Sequence, residues 1–214
     1  AKARHDFRHQ LLVIRSFADE DDVQGLRAYL DEQGAGQAQR EPGAYALNFA
    51  LDAVAAHFAE RARACGADVS LAFALPERLP LPEADFCMAM ANLLENAVEA
   101  CERAVREEAG ADGRGSTAQD GARPLFVDAE ARIEGNAVLV SVRNSCTPSD
   151  ARALAAAAPD GVLSSDARSA KREGDGIGLA SVATLAKRYR GEVQVEIDEY
   201  AATIHVLLFA GDAR

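Results

Sequence analysis

Near its C-terminus the sequence alternates apolar and other residues in two stretches: Val193, Val195 and Ile197 in EVQVEID, then Ile204, Val206 and Leu208 in ATIHVLLF. Successive strand side chains point to opposite faces, so each stretch becomes a strand with one apolar face. A face of that kind has to be covered by another layer. LFVDAEARI and AVLVSVR, joined by EGN, have the pattern of adjacent antiparallel strands, and VSLAFAL adds a short one. The covering layer is visible too. One long helix is expected from Tyr45 to about Cys65, and a second starts in the proline-punctuated PERLPLPEAD and runs to about Glu108. In the second, Phe86, Met90, Leu93, Ala97 and Cys101 share a face, with Asn92, Glu95, Asn96 and Glu99 on the other. A further helix lies between a glycine-rich turn and the last two strands. Helices on one side of a mixed or antiparallel sheet make an α+β sandwich.

The first 42 residues follow a different rule. Phe7, Leu11, Ile14 and Ala18 recur at helical spacing. After the acidic DEDD, Val23, Leu26 and Leu30 open a second short helix that can cap on Asp21 or Asp22. Two short helices cannot cover both stripes, so the hairpin is expected to pair with a second copy as a dimeric four-helix bundle. GAGQAQREPG, residues 34 to 43, reads as a linker. The expected domains are a helical hairpin over 1–42 and the sandwich over 43–214.

A formal net charge of -11 disfavours direct binding to nucleic acid or to an anionic membrane surface. No apolar run approaches the ~18 residues of a membrane span, and no signal peptide is visible. The four cysteines, Cys65, Cys87, Cys101 and Cys146, have no CxxC spacing and read as reduced core thiols. A cytoplasmic domain fits. The chain opens without methionine inside a helical pattern, so an upstream part is expected, and any membrane attachment would come through it.

Two asparagines one turn apart, Asn92 and Asn96, are unexpected in a helix, because asparagine is a mediocre helix former. A carboxamide oxygen is a hard, uncharged ligand suited to Mg²⁺ that already carries phosphate oxygens, although a solvated face accounts for the pattern equally. In KREGDGIGLASV, Gly174, Gly176 and Gly178 precede a helix whose first N–H groups can receive an anion. No GKS/T follows and no βαβ unit surrounds the turn, which excludes a Walker loop and a dinucleotide fingerprint. In RHDFRHQ, His5 and His9 lie one turn apart, and His5 sits about 180–240° around the helix from the apolar stripe. A metal face, a phosphate-accepting nucleophile and a plain solvated helix start all remain open on these residues alone.

In combination and in this order, HDFRHQL, NLLENAVEA, VRNSC and GDGIGLASV resemble the histidine kinases of the GHKL ATPase superfamily. The likeness is nearest to the quorum-sensing and citrate-sensing type, whose phosphoacceptor box begins His-Asp. It spans essentially the whole chain. It implies a dimerisation hairpin followed by a Bergerat-type sandwich that binds ATP and Mg²⁺, with a response regulator as partner. It makes His5 the phosphoacceptor and Asp6 the group that fixes its tautomer. Asn96 would hold Mg²⁺ with Asn92 in support. Gly174, Gly176 and Gly178 would line the phosphate cradle, with Lys171 and Arg172 beside the phosphates and Thr203 near the adenine. A lid is implied from about Thr147 to Glu173.

The sequence departs from the family at three places. Asn144 in VRNSCTP stands where many relatives carry the aspartate that reads the adenine amine, so an uncharged acceptor and a modest nucleotide affinity are expected. His9 replaces the Asn or Thr of relatives that also remove phosphate, which leaves phosphatase activity unsupported. Asn92 stands where hydrolysing cousins have glutamate, which favours transfer over hydrolysis. Two rivals stay open: a non-enzymatic phosphorelay or scaffold protein, and a GHKL serine kinase of anti-sigma type.

Overall fold

A computed structural model describes residues 12–17, 19–32, 44–111, 124–163, 177–198 and 200–211. The chain divides into two compact units, Ala1–Arg40 and Glu41–Arg214.

In the first unit residues 12–17 are helical and α1 spans Val23–Glu32. Asp22 starts α1 by accepting the Gly25 amide on Oδ1 at 2.9 Å, which satisfies one of the orphan donors of the first turn. The rings of Phe17 and Tyr29 meet at 5.9 Å. Ile14, Leu26 and Leu30 are half-buried, Leu12 and Val23 are 60% and 57% exposed, and no described residue of this unit is fully buried.

The second unit contains α2 (Phe49–Ala64), β1 (Asp68–Ala74), α3 (Glu83–Ala111), β2 (Phe126–Glu134), β3 (Ala137–Ser145), α4 (Pro148–Ala157), α5 (Ile177–Arg188), β4 (Glu192–Ile197) and β5 (Ala201–Phe209). The strands form one sheet in the order β1-β2-β3-β5-β4. β1 runs parallel to β2, and the other neighbours are antiparallel. Each edge is blunted by a single bridge. Ala46 pairs with Phe73 on β1, and Val162 pairs with Gln194 on β4, where Val195 donates to Gly161 O at 2.7 Å. Covered edges do not template pairing with other chains.

One face of the sheet carries the core. Val127, Ala129, Val138, Val140, Val142, Val193, Ile204, Val206 and Leu208 are buried there with the apolar sides of α2, α3 and α5. The other face carries exposed Glu130, Arg132 and Gln194. Ile197 leaves the expected alternation at 36% exposed, because β4 ends at that residue.

α2 begins at Asn48, whose side chain accepts the Leu51 amide at 2.9 Å and donates to Glu77 O and Glu83 Oε2. One buried residue thus caps α2 and ties it to the start of α3. On α3 the predicted stripe Phe86, Met90, Leu93, Ala97 and Cys101 is buried, and so are Leu94 and Val98 at 0% exposure. The stripe is wider than its period suggested because α2 and α5 flank the helix as well as the sheet. Leu94→Ala should therefore cost about 3 kcal/mol of unfolding free energy by the usual transfer and cavity terms. Chemical denaturation checks this, and an unchanged midpoint would contradict the packing. The four cysteines are free. Burial pushes the Cys101 thiol up to about 12 and that of Cys146 to about 11, so both are neutral packing groups near neutral pH.

Candidate functional site

Asn92 and Asn96 sit one turn apart on α3, both half-buried. Asn96 Nδ2 donates to Asn92 O at 2.6 Å. A carbonyl only accepts, so this bond turns the amide nitrogen inward and leaves Oδ1 facing away, with no donor among the described residues.

Gly178, in the first turn of α5, lies directly on this pair. A Cβ at that position would stand 2.9 Å from Asn96 Nδ2 and 3.7 Å from Asn92 Cβ. Only a residue without a side chain leaves the Asn96 amide where it stands. The positive end of the α5 dipole and its first-turn N–H groups, which have no partner within the helix, are thereby brought to the asparagines.

The far end of α5 is held equally firmly. Tyr189 OH donates to Asp85 Oδ2 at 2.6 Å, and Arg188 Nη1 lies 3.1 Å from the same oxygen. From Gly178 on α5 to Tyr189, the residue just past it, is the same number of residues as from Asn96 back to Asp85 on α3. The two contacts therefore fix one antiparallel register. Burial, then the bond to Asp85, pushes the Tyr189 phenol up to about 12. Tyr189→Phe should lose about 1.5 kcal/mol, the value of a hydrogen bond to a charged group. An unfolded tyrosine ionises near pH 10. The raised value thus stabilises the fold fully below pH 10, and this contribution is lost as pH rises through the folded value. The phenylalanine variant should lack that alkaline component, and thermal unfolding between neutral and alkaline pH measures it.

Asn144 ends the apolar row Val138, Val140, Val142 on β3 and is 5% exposed. Its lateral neighbours, Val127 and Ala202, are both buried. Asn144 Nδ2 donates to Ser145 O at 2.9 Å, while no described residue donates to its Oδ1. A buried carbonyl oxygen without a donor costs about 1–3 kcal/mol, so it suits a ligand N–H.

Thr203 does not join this group. It pairs with Arg143 and Glu196, whereas its neighbours Ala202 and Ile204 are the buried ones. Strand alternation sends its side chain to the face opposite Asn144, which corrects its expected place beside the adenine.

The segment expected to begin a lid at Thr147 begins instead as the helix α4. Thr147 and Asp150 form a reciprocal capping box with Pro148 at the helix start. Asp150 also accepts Arg103 Nε from α3 at 2.9 Å. The pairing of Asp150 with Arg103, and that of Asp85 with Tyr189, joins residues far apart in the chain. His5, Asp6, Lys171, Arg172, Gly174 and Gly176 lie outside the described residues.

The site thus offers two amide oxygens without described donors and a helix N-terminus. Among the described residues no group of three His, Cys, Asp or Glu could hold a metal by itself. Neutral hard oxygens of this kind fit a Mg²⁺ that arrives with phosphate oxygens of its own better than a caged ion.

No protein-family model matches the chain, and no curated protein matches it. Among solved structures, the nucleotide-free catalytic domain of histidine kinase ThkA aligns at TM-score 0.49 and 16% identity, covering 75% of this chain and 90% of that one. A histidine kinase from Burkholderia phymatum STM815 aligns at 0.47 and 21% identity over 97% of this chain and 89% of the other. Full-length ShkA in complex with AMPPNP aligns at 0.45 and 23% identity, covering 77% of this chain and 30% of ShkA.

Proposed function

We propose that the chain is the core of a protein-histidine kinase. A nitrogen of His5 attacks the γ-phosphorus of ATP, an N–P bond forms, the bond to the bridging oxygen breaks, and ADP leaves with the electron pair. Asp6 holds the N–H at the other ring nitrogen. The phosphoryl group then passes to an aspartate of a response regulator, a P–O bond replacing the N–P bond and returning His5.

The observation that carries this reading is the seating of Gly178 on Asn92 and Asn96. It joins the ends of two separate sequence boxes at one point. Asn96 Oδ1, supported by Asn92, would hold Mg²⁺, which neutralises charge on the transferring phosphates. Asn144 Oδ1 would accept the adenine amine. Lys171, Arg172, Gly174 and Gly176 would attend the phosphates. The exposed Leu12 and Val23 of the helical unit support a homodimer through that unit. No described helix is long and apolar enough to cross a membrane. The proposed place is a cytoplasmic domain of a larger, membrane-anchored sensor.

Incubation with γ-labelled ATP and Mg²⁺ tests the reading. The label should be lost in acid and kept in base, as a phosphoramidate requires. An acid-stable label would point to the serine kinase, and absence of Mg²⁺-dependent ATP binding to the scaffold, which the uncharged Asn144 specifically favours.

A further inference from the structure

α3 carries a second set of long-range contacts, two turns beyond Asn96. The Arg103 guanidinium lies between Glu99, 3.6 Å away on its own helix, and Asp150, 2.9 Å away on α4. The Arg103 and Asp150 side chains are 27% and 10% exposed, so this pair is far less screened than a surface bridge. Asp150 divides its carboxylate between two tasks. Oδ1 takes Arg103 Nε, while Oδ2 accepts the Thr147 backbone N–H at 3.3 Å and its hydroxyl at 3.0 Å. Thr147 is 4% exposed and only three residues beyond Asn144. Ser149 Oγ adds a bond to Glu107 Oε1 at 3.2 Å, again from α4 to α3.

We propose that Arg103 is a positioning residue for the nucleotide. The end of β3 is held by β2 and β5; through Asp150 and the capping box Arg103 fixes the start of α4, three residues beyond Asn144, relative to Asn92 and Asn96 on the same helix that bears Arg103. This rests on the nucleotide reading above and extends it. A released α4 would change what stands beside the base-reading amide while leaving the asparagines in place. Adenine lies far from the reacting phosphorus, so its loss removes binding shared by ground and transition states and appears in KM rather than kcat. A hydrogen-bonding base contact also discriminates between bases, because a mismatched partner leaves it unpaired.

The test uses the whole chain as parent, R103A, R103K, D150N and the exchanged pair R103D/D150R. Readouts are KM and kcat for Mg-ATP, the ATP-over-GTP preference, and hydrogen exchange at the α4 amides. R103A and D150N should raise KM about tenfold with kcat within threefold, as loss of a base contact predicts. Their ATP preference should fall and α4 should exchange faster. R103K should lie between R103A and the parent, and the exchanged pair should recover most of the preference. An R103A protein with a lowered unfolding midpoint but parental KM and base preference would show a purely structural bridge and overturn the proposal. Unchanged α4 exchange in R103A would overturn it as well. A parent that binds no Mg-ATP would sink the functional reading itself and this inference with it, an outcome distinct from failure of the variants alone.

Discussion

Gly178→Ala should weaken Mg²⁺-dependent ATP binding at least tenfold, or about 1.4 kcal/mol, while leaving the sandwich as stable as the parent. The added methyl would stand 2.9 Å from Asn96 Nδ2, closer than a carbon tolerates, and Asn96 is the shorter lever that must yield. Yielding breaks its bond to Asn92 O and releases the orientation that presents Oδ1. Stability moves the other way: within a helix alanine is about 1 kcal/mol more favourable than glycine, which offsets the local crowding. Titration with Mg-ATP, with a chelator control, reads the first effect, and denaturant unfolding reads the second. Parental affinity in a folded G178A protein would mean that the asparagine amide is not the metal contact. Asn96→Ala should match the loss of affinity without the crowding.

His5→Gln should reduce acid-labile labelling from γ-labelled ATP to background and leave Mg-ATP affinity within twofold of the parent. Glutamine keeps polarity and approximate size but lacks the imidazole nitrogen that forms the N–P bond, so the expected loss is in chemistry alone. The separation follows from the division of the chain, with His5, the proposed phosphoacceptor, in the first unit and the asparagine pair in the second. A His5→Gln protein that labels like the parent would displace the nucleophile to another residue. Loss of both labelling and affinity would mean that His5 serves the nucleotide site and not transfer.

Asn92 and Asn96 were legible from helical spacing, Gly178 from the glycine-rich turn that precedes a helix, and Asn144 only through the family resemblance. On α3 the 3.6-residue period places Asn92 and Asn96 outside the apolar stripe of Phe86 and Met90, with Asn96 at its flank. Thr203 was legible in the same way, and against its expected role: the alternation that buries Ile204 already sends residue 203 to the other face. The resemblance supplied a place for it that the strand period denies.

Arg103, Asp150, Asp85 and Tyr189 were not legible as partners, since β2 and β3 separate α3 from α4 and α5 along the chain. The breadth of the α3 core escaped for the same reason: Leu94 and Val98 look lateral on an isolated helix and become interior only when α2 covers that side.

By itself, the order of residues determined which side of each strand and of the long helices is apolar, and that Asn92 and Asn96 stand one turn apart on α3. These follow from local geometry, a fixed rotation per residue. Only tertiary structure decided that the α5 glycine rests on the α3 asparagines, and that one arginine ties α4 to the helix carrying them. Such contacts join residues dozens to a hundred positions apart, and no local period encodes which distant side chain closes the gap.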